Sequence, residues 1–253
     1  MTCWPALYRI GLQKWPIIRS AHCRTAAVCG RYVAKIDAAL ERDWALTRPP
    51  PLFASYNIAP TTPVPAVRER NGERLCELLR WGLVPFWAKG LPPKLSTSNA
   101  RLETIATAPS YRGPWQRGQR CILPALGFYE WQVRDAGKQP WSIYLKDQSV
   151  FGLAGLWEAS TTPEGITVES CTIITMPANP FMAEIHNSKA RMPAILRRAD
   201  HDAWLAGDAT AALHCLRPYP EDQMLAHTVS TAVNSPRNNT ARLLEPAGHG
   251  TGA

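Results

Sequence analysis

Five strand-like stretches, 121–124, 128–133, 141–145, 150–157 and 169–175, crowd the middle of the chain, with turn residues Asp135-Ala136-Gly137 and Asp147-Gln148 among them. Joining neighbouring strands in parallel takes a crossover of a dozen or more residues, whereas short turns join them antiparallel. Upstream, 64–70 and 73–81 flank Asn71-Gly72, the strongest two-residue hairpin signal in the chain. Helical signals are short and fall between these units. They comprise 36–46, with apolar Ile36, Ala39, Leu40 and Trp44 at helical spacing, then 100–107, one or two turns over 179–185, and 200–205 and 209–216. A short strand at 30–34 and a last one at 227–233 complete the pattern. Helices inserted between hairpins, without β-α-β alternation, predict an α+β fold. The expected form is one domain with a strongly curved, mainly antiparallel sheet or partial β-barrel.

The boundaries follow from composition. Residues 1–28 hold Arg9, Lys14, Arg19 and Arg24 with no acid, and lack a convincing period, so they read as an extension. The domain proper is expected over 29–246, with a disordered tail at 247–253. The net charge is +8, but four of those charges lie in the extension, so basicity alone says little about a nucleic-acid partner. Seven scattered cysteines form no Cys-x-x-C pair and no zinc spacing, and read as reduced thiols in a cytoplasm. No segment approaches the roughly 20 apolar residues of a membrane helix. No metal or organic cofactor is indicated.

The chemistry-bearing residues fall in separate islands. Cys29, in Val28-Cys29-Gly30-Arg31-Tyr32, reads on its own as a small buried apolar residue. However, a GTG codon encodes valine internally and initiates translation at a bacterial start, so Val28 can be the initiator. Its removal leaves Cys29 with a free α-amine two bonds from its thiol. Such a residue condenses with an aldehyde to an imine, which the thiol closes to a thiazolidine ring. Glu130 lies in the aromatic run Gly127-Phe128-Tyr129-Glu130-Trp131, where desolvation favours proton transfer; otherwise it is an outward-facing strand residue. His186 is a proton shuttle or a satisfied surface histidine. Asn99 and Arg101 orient a reacting amine and hold a phosphate, or form a helix N-cap beside a solvated arginine. Arg31, Arg80 and Arg191 extend a phosphate track, and Trp81 or Trp87 stacks on bases.

Together these islands resemble the SOS-response-associated peptidase family, the abasic-site processing proteins. The motifs are Cys29-Gly30-Arg31-Tyr32, Tyr56-Asn57-Ile58-Ala59-Pro60, Arg80-Trp81-Gly82-Leu83-Val84-Pro85, Asn99-Ala100-Arg101 with Glu103-Thr104, Gly127 to Trp131, Ile185-His186, Arg191-Met192-Pro193 and Val233-Asn234-Ser235-Pro236. The resemblance implies a protein that binds single-stranded DNA and links covalently to the aldehyde of an abasic site through N-terminal Cys29, a mechanism that needs only a monomer. It further implies autoproteolytic removal of the preceding segment and lyase activity by β-elimination. By the same resemblance Asn99 positions the amine, Glu130 handles protons and His186 assists imine chemistry. Asn57 and Pro60 join the DNA-contacting residues, and Thr175 is a pocket position. The segment Asn187-Ser188-Lys189-Ala190, which makes the spacing from His186 to Arg191 longer than in the shortest family forms, reads as a loop variation. Two other functions fit the same residues: a thiol peptidase using Cys29, His186 and Glu130, and a non-covalent single-strand-binding module.

Overall fold

The computed structural model describes residues 30–146 and 150–248. Cys29, the extension and the Asp147-Gln148 turn lie outside the described residues. In chain order the elements are β1 (Arg31–Ile36), α1 (Ala39–Asp43), β2 (Phe53–Ile58), β3 (Pro63–Arg70), β4 (Glu73–Trp81), β5 (Asn99–Arg101), α2 (Arg112–Gln116), β6 (Arg120–Ala125), β7 (Gly127–Arg134), β8 (Gly137–Leu145), β9 (Phe151–Thr161), β10 (Thr167–Pro177), α3 (Pro180–Ile185), β11 (Arg191–Pro193), β12 (Ile195–Leu196), α4 (His201–Ala206), α5 (Ala209–Cys215) and β13 (Met224–Thr228).

Two sheets result. In the first, β3 pairs with β4, β4 with β10, β10 with β9, β9 with β6 and β6 back with β3, so five strands close a barrel. All joints are antiparallel except β4 to β10. Closure leaves these strands no free edge along the ring, and β5 and β11 attach to β10 and β12 to β9. In the second sheet, the antiparallel order is β13-β8-β7-β1-β2. The expected curved sheet with short inserted helices is therefore found, and the fold is α+β in one domain.

Burial on both faces explains the apolar runs. Every residue of β6 is buried, as are the first six of β9, because the barrel interior lies on one side and other elements on the other. Gly155 is required where β9 is squeezed between its neighbours: an added Cβ would sit 2.5 Å from Leu123 Cδ1 and 2.7 Å from the Thr172 carbonyl oxygen. The second sheet packs one face on the main core through Tyr32, Phe128 and Ile143, with Tyr32 edge-on to Trp81 at 5.3 Å between ring centroids. Its other face carries Val33 and Tyr129 and is covered by Val229, Val233 and Leu243 from the C-terminal segment.

Local expectations fared unevenly. The Asn71-Gly72 hairpin is present, with φ of 53° and 78° at the two turn residues, the left-handed values of a type I′ turn. α3 forms where expected, its N-terminus capped by the Asn179 side chain accepting from Met182 N at 2.8 Å. The helix expected over 100–107 is replaced by β5 and a 3-10 turn at Leu102–Thr104, because the edge of β10 captures Asn99 to Arg101 as a strand. The helix expected over 36–46 shrinks to α1, since Ile36 belongs to β1. The last strand ends at Thr228, and Thr231–Asn234 is a 3-10 turn. At the predicted tail, Ala247 N still donates to the Thr228 carbonyl at 2.8 Å.

Candidate active site

A cavity of about 400 Å³ opens where the second sheet meets the end of α3 and the C-terminal segment. Its walls include Gly30 and Arg31 at the start of β1, Pro60 after β2, Glu130 and Trp131 on β7, Lys138 on β8, and His186, Ser188, Lys189 and Asn234. Glu130 is buried, with 2% of its surface exposed, so the outward-facing reading does not hold. The alternation along β7 was legible, but around Glu130 both of its faces are covered. Tyr129 and Trp131 face the C-terminal segment, while Phe128 faces the main core, and Glu130 shares the Phe128 side.

His186 follows the last turn of α3 and is buried too. Its Nδ1 lies 2.9 Å from the carbonyl oxygen of Arg191 and 3.8 Å from Glu130 Oε1. A carbonyl can only accept, so Nδ1 carries the proton and, in the neutral ring, Nε2 keeps the lone pair. Burial lowers the pKa of His186, and the nearby cations Lys189, Arg191 and Lys138 push it the same way against the raising effect of the Arg191 carbonyl. At neutral pH the ring is thus a neutral base with a fixed tautomer beside a buried carboxyl group.

The Arg191 carbonyl is itself held in place. The Arg191 guanidinium makes a bidentate bond with Glu103 at 2.7 and 2.9 Å and donates to the Thr175 carbonyl at 2.8 Å. That bond holds the Glu103 carboxyl below the usual carboxylate range. Thr175, 1% exposed, lies within 3.4 Å of the Ala100 carbonyl. Arg191 and Thr175, expected to touch DNA, here brace the His186 turn from behind.

A second brace holds β1. Arg31 donates to Asn57 Oδ1 and the Val233 carbonyl, each at 3.0 Å, and to the Asn234 carbonyl at 3.3 Å. The buried Asn57 amide reaches the carbonyls of Val233, Ser235 and Asn238 at 3.2, 3.0 and 2.8 Å. Asn57 therefore ties the C-terminal segment to β2, leaving its amide engaged with protein.

Of the other expected site residues, Asn99 and Arg101 sit on β5 opposite Ile173 and Thr175, outside the cavity walls. Arg101 is exposed. Arg80 bonds its side chain to the Gly82 carbonyl, and burial lowers its pKa. Trp81 is fully buried and donates Nε1 to the Ser98 carbonyl at 2.8 Å, so it has no face open to a base; the stacking role assigned to it is corrected. Trp87, half exposed on the 82–98 loop, keeps an open face. Lys138, Ser188, Lys189 and Asn234 are wall residues that motif reading did not assign a role. Among the described residues no cluster of three or more metal-binding side chains occurs, and no helix is long and apolar enough to cross a membrane.

Residues 28–236 match the family model described as SOS response associated peptidase (SRAP). The chain belongs to the SRAP family. Similar SRAP relatives include the abasic site processing protein YoaM of Bacillus subtilis, 41% identical over 199 residues that cover 77% of this chain and 86% of YoaM. The abasic site processing protein HMCES of Gallus gallus is 34% identical over 226 residues, covering 76% and 66% of the two chains. A solved protein structure from Bacteroides thetaiotaomicron superposes with a TM-score of 0.76 at 26% identity, over 87% of this chain and all of that one. The SRAP match starts one residue before Cys29 and takes in the Asn57, Glu130 and His186 islands.

Proposed function

We propose that this SRAP protein senses abasic sites in single-stranded DNA and captures them covalently through Cys29. The observation that carries the reading is the convergence of buried Glu130 and neutral His186 on a cavity whose wall begins at Gly30, the residue after Cys29. The relatives named abasic site processing proteins supply the substrate class.

With the chain beginning at Cys29, the α-amine attacks the open-chain sugar aldehyde and one water leaves as the imine forms. The thiol sulfur then bonds to the imine carbon and its proton passes to nitrogen, closing a thiazolidine. Net, two reactants condense with loss of one water. Glu130 shuttles protons to the departing hydroxyl, and His186 takes up protons at Nε2. Asn99 orients the amine, and Arg101 and Trp87 engage the strand outside the cavity. Hydrolysis of the peptide bond before Cys29, by removal of an initiator at position 28 or by autoproteolysis of 1–28, supplies the amine. The same His186 base, removing a proton next to the imine carbon, gives strand cleavage by β-elimination. One chain completes the site, so a monomer suffices.

The test is incubation of protein starting at Cys29 with an abasic-site oligonucleotide, followed by boiling in detergent and intact-mass measurement. An adduct weighing the sum of the partners less one water is expected, and Cys29→Ser should lose it. An equally stable adduct with Cys29→Ser, or none with the parent protein, would overturn the reading and leave a thiol peptidase or a non-covalent binder.

A further inference from the structure

The segment between His186 and Arg191 is built into the cavity. β7 runs past the end of β1, whose pairing stops at Arg31 opposite Tyr129, so beyond that point one edge of β7 needs another partner. The Asn187 side chain supplies it: Val133 N donates to Asn187 Oδ1 and Asn187 Nδ2 donates to the Val133 carbonyl, both at 2.9 Å. On its other edge Val133 pairs with Lys138 of β8. One residue of β7 thus fixes both Lys138 and the start of the inserted turn. Lys189 N and Ala190 N fold back onto the His186 carbonyl at 3.2 and 2.8 Å, and Ala190 takes a φ of 47° to return the chain to β11.

The result is that exposed Lys138, Ser188 and Lys189 line the same wall as Arg31. Glu130 is the one carboxylate among the wall residues against three cations. Among the described residues no carboxylate makes a salt bridge with Arg31 or Lys138, whereas elsewhere Arg68 and Arg74 are each paired with two and Arg191 with one. Both lysines act electrostatically on His186. A positive rim beside a catalytic pair suits an anion carried by the substrate.

We propose that Lys138, Ser188 and Lys189 form a subsite for a phosphodiester flanking the abasic sugar, holding the sugar over Glu130 and His186. This rests on the reading of the site as an abasic-site pocket. The hydroxyl of Ser188 donates to a non-bridging oxygen and the two ammonium groups flank it. The inserted turn then sets how the strand enters the cavity.

The experiment compares parent protein with Lys138→Gln/Lys189→Gln on abasic-site oligonucleotides, measuring reversible affinity against salt with Cys29→Ser versions and adduct formation with Cys29 versions. Both lysines are exposed, so folding is retained, as a melting curve verifies. Each single-strand phosphate left unneutralised flattens the log–log salt slope by about 0.7, so losing this one phosphodiester site should flatten the double variant's slope by about 0.7 and weaken binding roughly 5-fold at 0.1 M salt, taking affinities to converge near 1 M. One neutral methylphosphonate linkage, scanned along the strand, should reproduce the loss at one flanking position and leave the double variant no weaker there. An unchanged slope, or a methylphosphonate effect that adds fully to the double variant at every position, would overturn the subsite. Loss of the adduct in the parent with lysine-dependent binding intact would overturn the covalent reading and leave the subsite standing.

Discussion

Replacing Asn57 with alanine separates a structural clamp from a DNA contact. The buried amide has two N–H groups shared among three carbonyls of the C-terminal segment, and its oxygen accepts from Arg31. Two net hydrogen bonds at about 1 kcal/mol each, plus buried carbonyls and an Arg31 contact left behind, come to about 3 kcal/mol. For a domain of this size that lowers the melting temperature by about 6–12 °C. Circular dichroism melts would read it, and limited proteolysis should show earlier cutting beyond Val229. Asn57→Asp keeps the shape and the acceptor for Arg31 but turns donors into acceptors facing the same carbonyls, so it should melt no higher than the alanine variant. A fall under about 2 °C in both, with DNA affinity lost, would refute the clamp.

Arg191→Lys and Glu103→Gln, which break the bidentate brace behind the His186 turn, should each slow single-turnover adduct formation by on the order of 10–100-fold with little change in DNA affinity; a change confined to salt-dependent affinity would make Arg191 a DNA contact. His201 is buried against Trp44, and burial, with Arg198 and Arg74 adding to it against Asp202, lowers its pKa to about 4. Because the unfolded chain protonates first, stability should fall as pH drops from about 6.5 towards 4 and level off below; His201→Gln should remove up to about 3 kcal/mol of that slope in melts across this range, and an identical slope would refute it. The lowered pKa of His186 keeps it a neutral base at pH 6.5 and above, so from about pH 8 to 6.5 adduct formation should fall only as the neutral fraction of the Cys29 α-amine, ordinary pKa about 8, falls; a steeper decline over that range would refute it. Gly72→Ala meets no atom within 4 Å yet must hold a φ of 78°, so it should cost about 1 kcal/mol, seen as a melt about 2–4 °C lower.

The elements legible in the sequence were those whose cause is local. Asn71-Gly72 specifies its turn because both residues tolerate positive φ, and Asn179 with Pro180 starts α3 because cap and φ are set within one turn. The misread segments were those in which a distant edge overrode propensity: β5 became a strand because β10 offered unpaired backbone. In the site, residue types and motif order pointed to Glu130 and His186, 56 positions apart, but nothing local says that they meet. Trp81 shows the reverse, since an indole in a motif looks alike whether it stacks on a base or packs edge-on against Tyr32.

The sequence by itself determined that the chain is α+β, that it carries the ordered SRAP motifs and which side chains can do acid–base chemistry, because these depend on residue identity and short-range order. Tertiary structure alone decided that both faces of β7 are covered around Glu130, that Arg191 and Asn57 turn inward as braces, and that the turn after His186 sets Lys189 on the same cavity wall as Lys138. Those outcomes depend on which strand edges and carbonyls are left to be satisfied once the two sheets are packed, and that is known only after the chain has closed on itself.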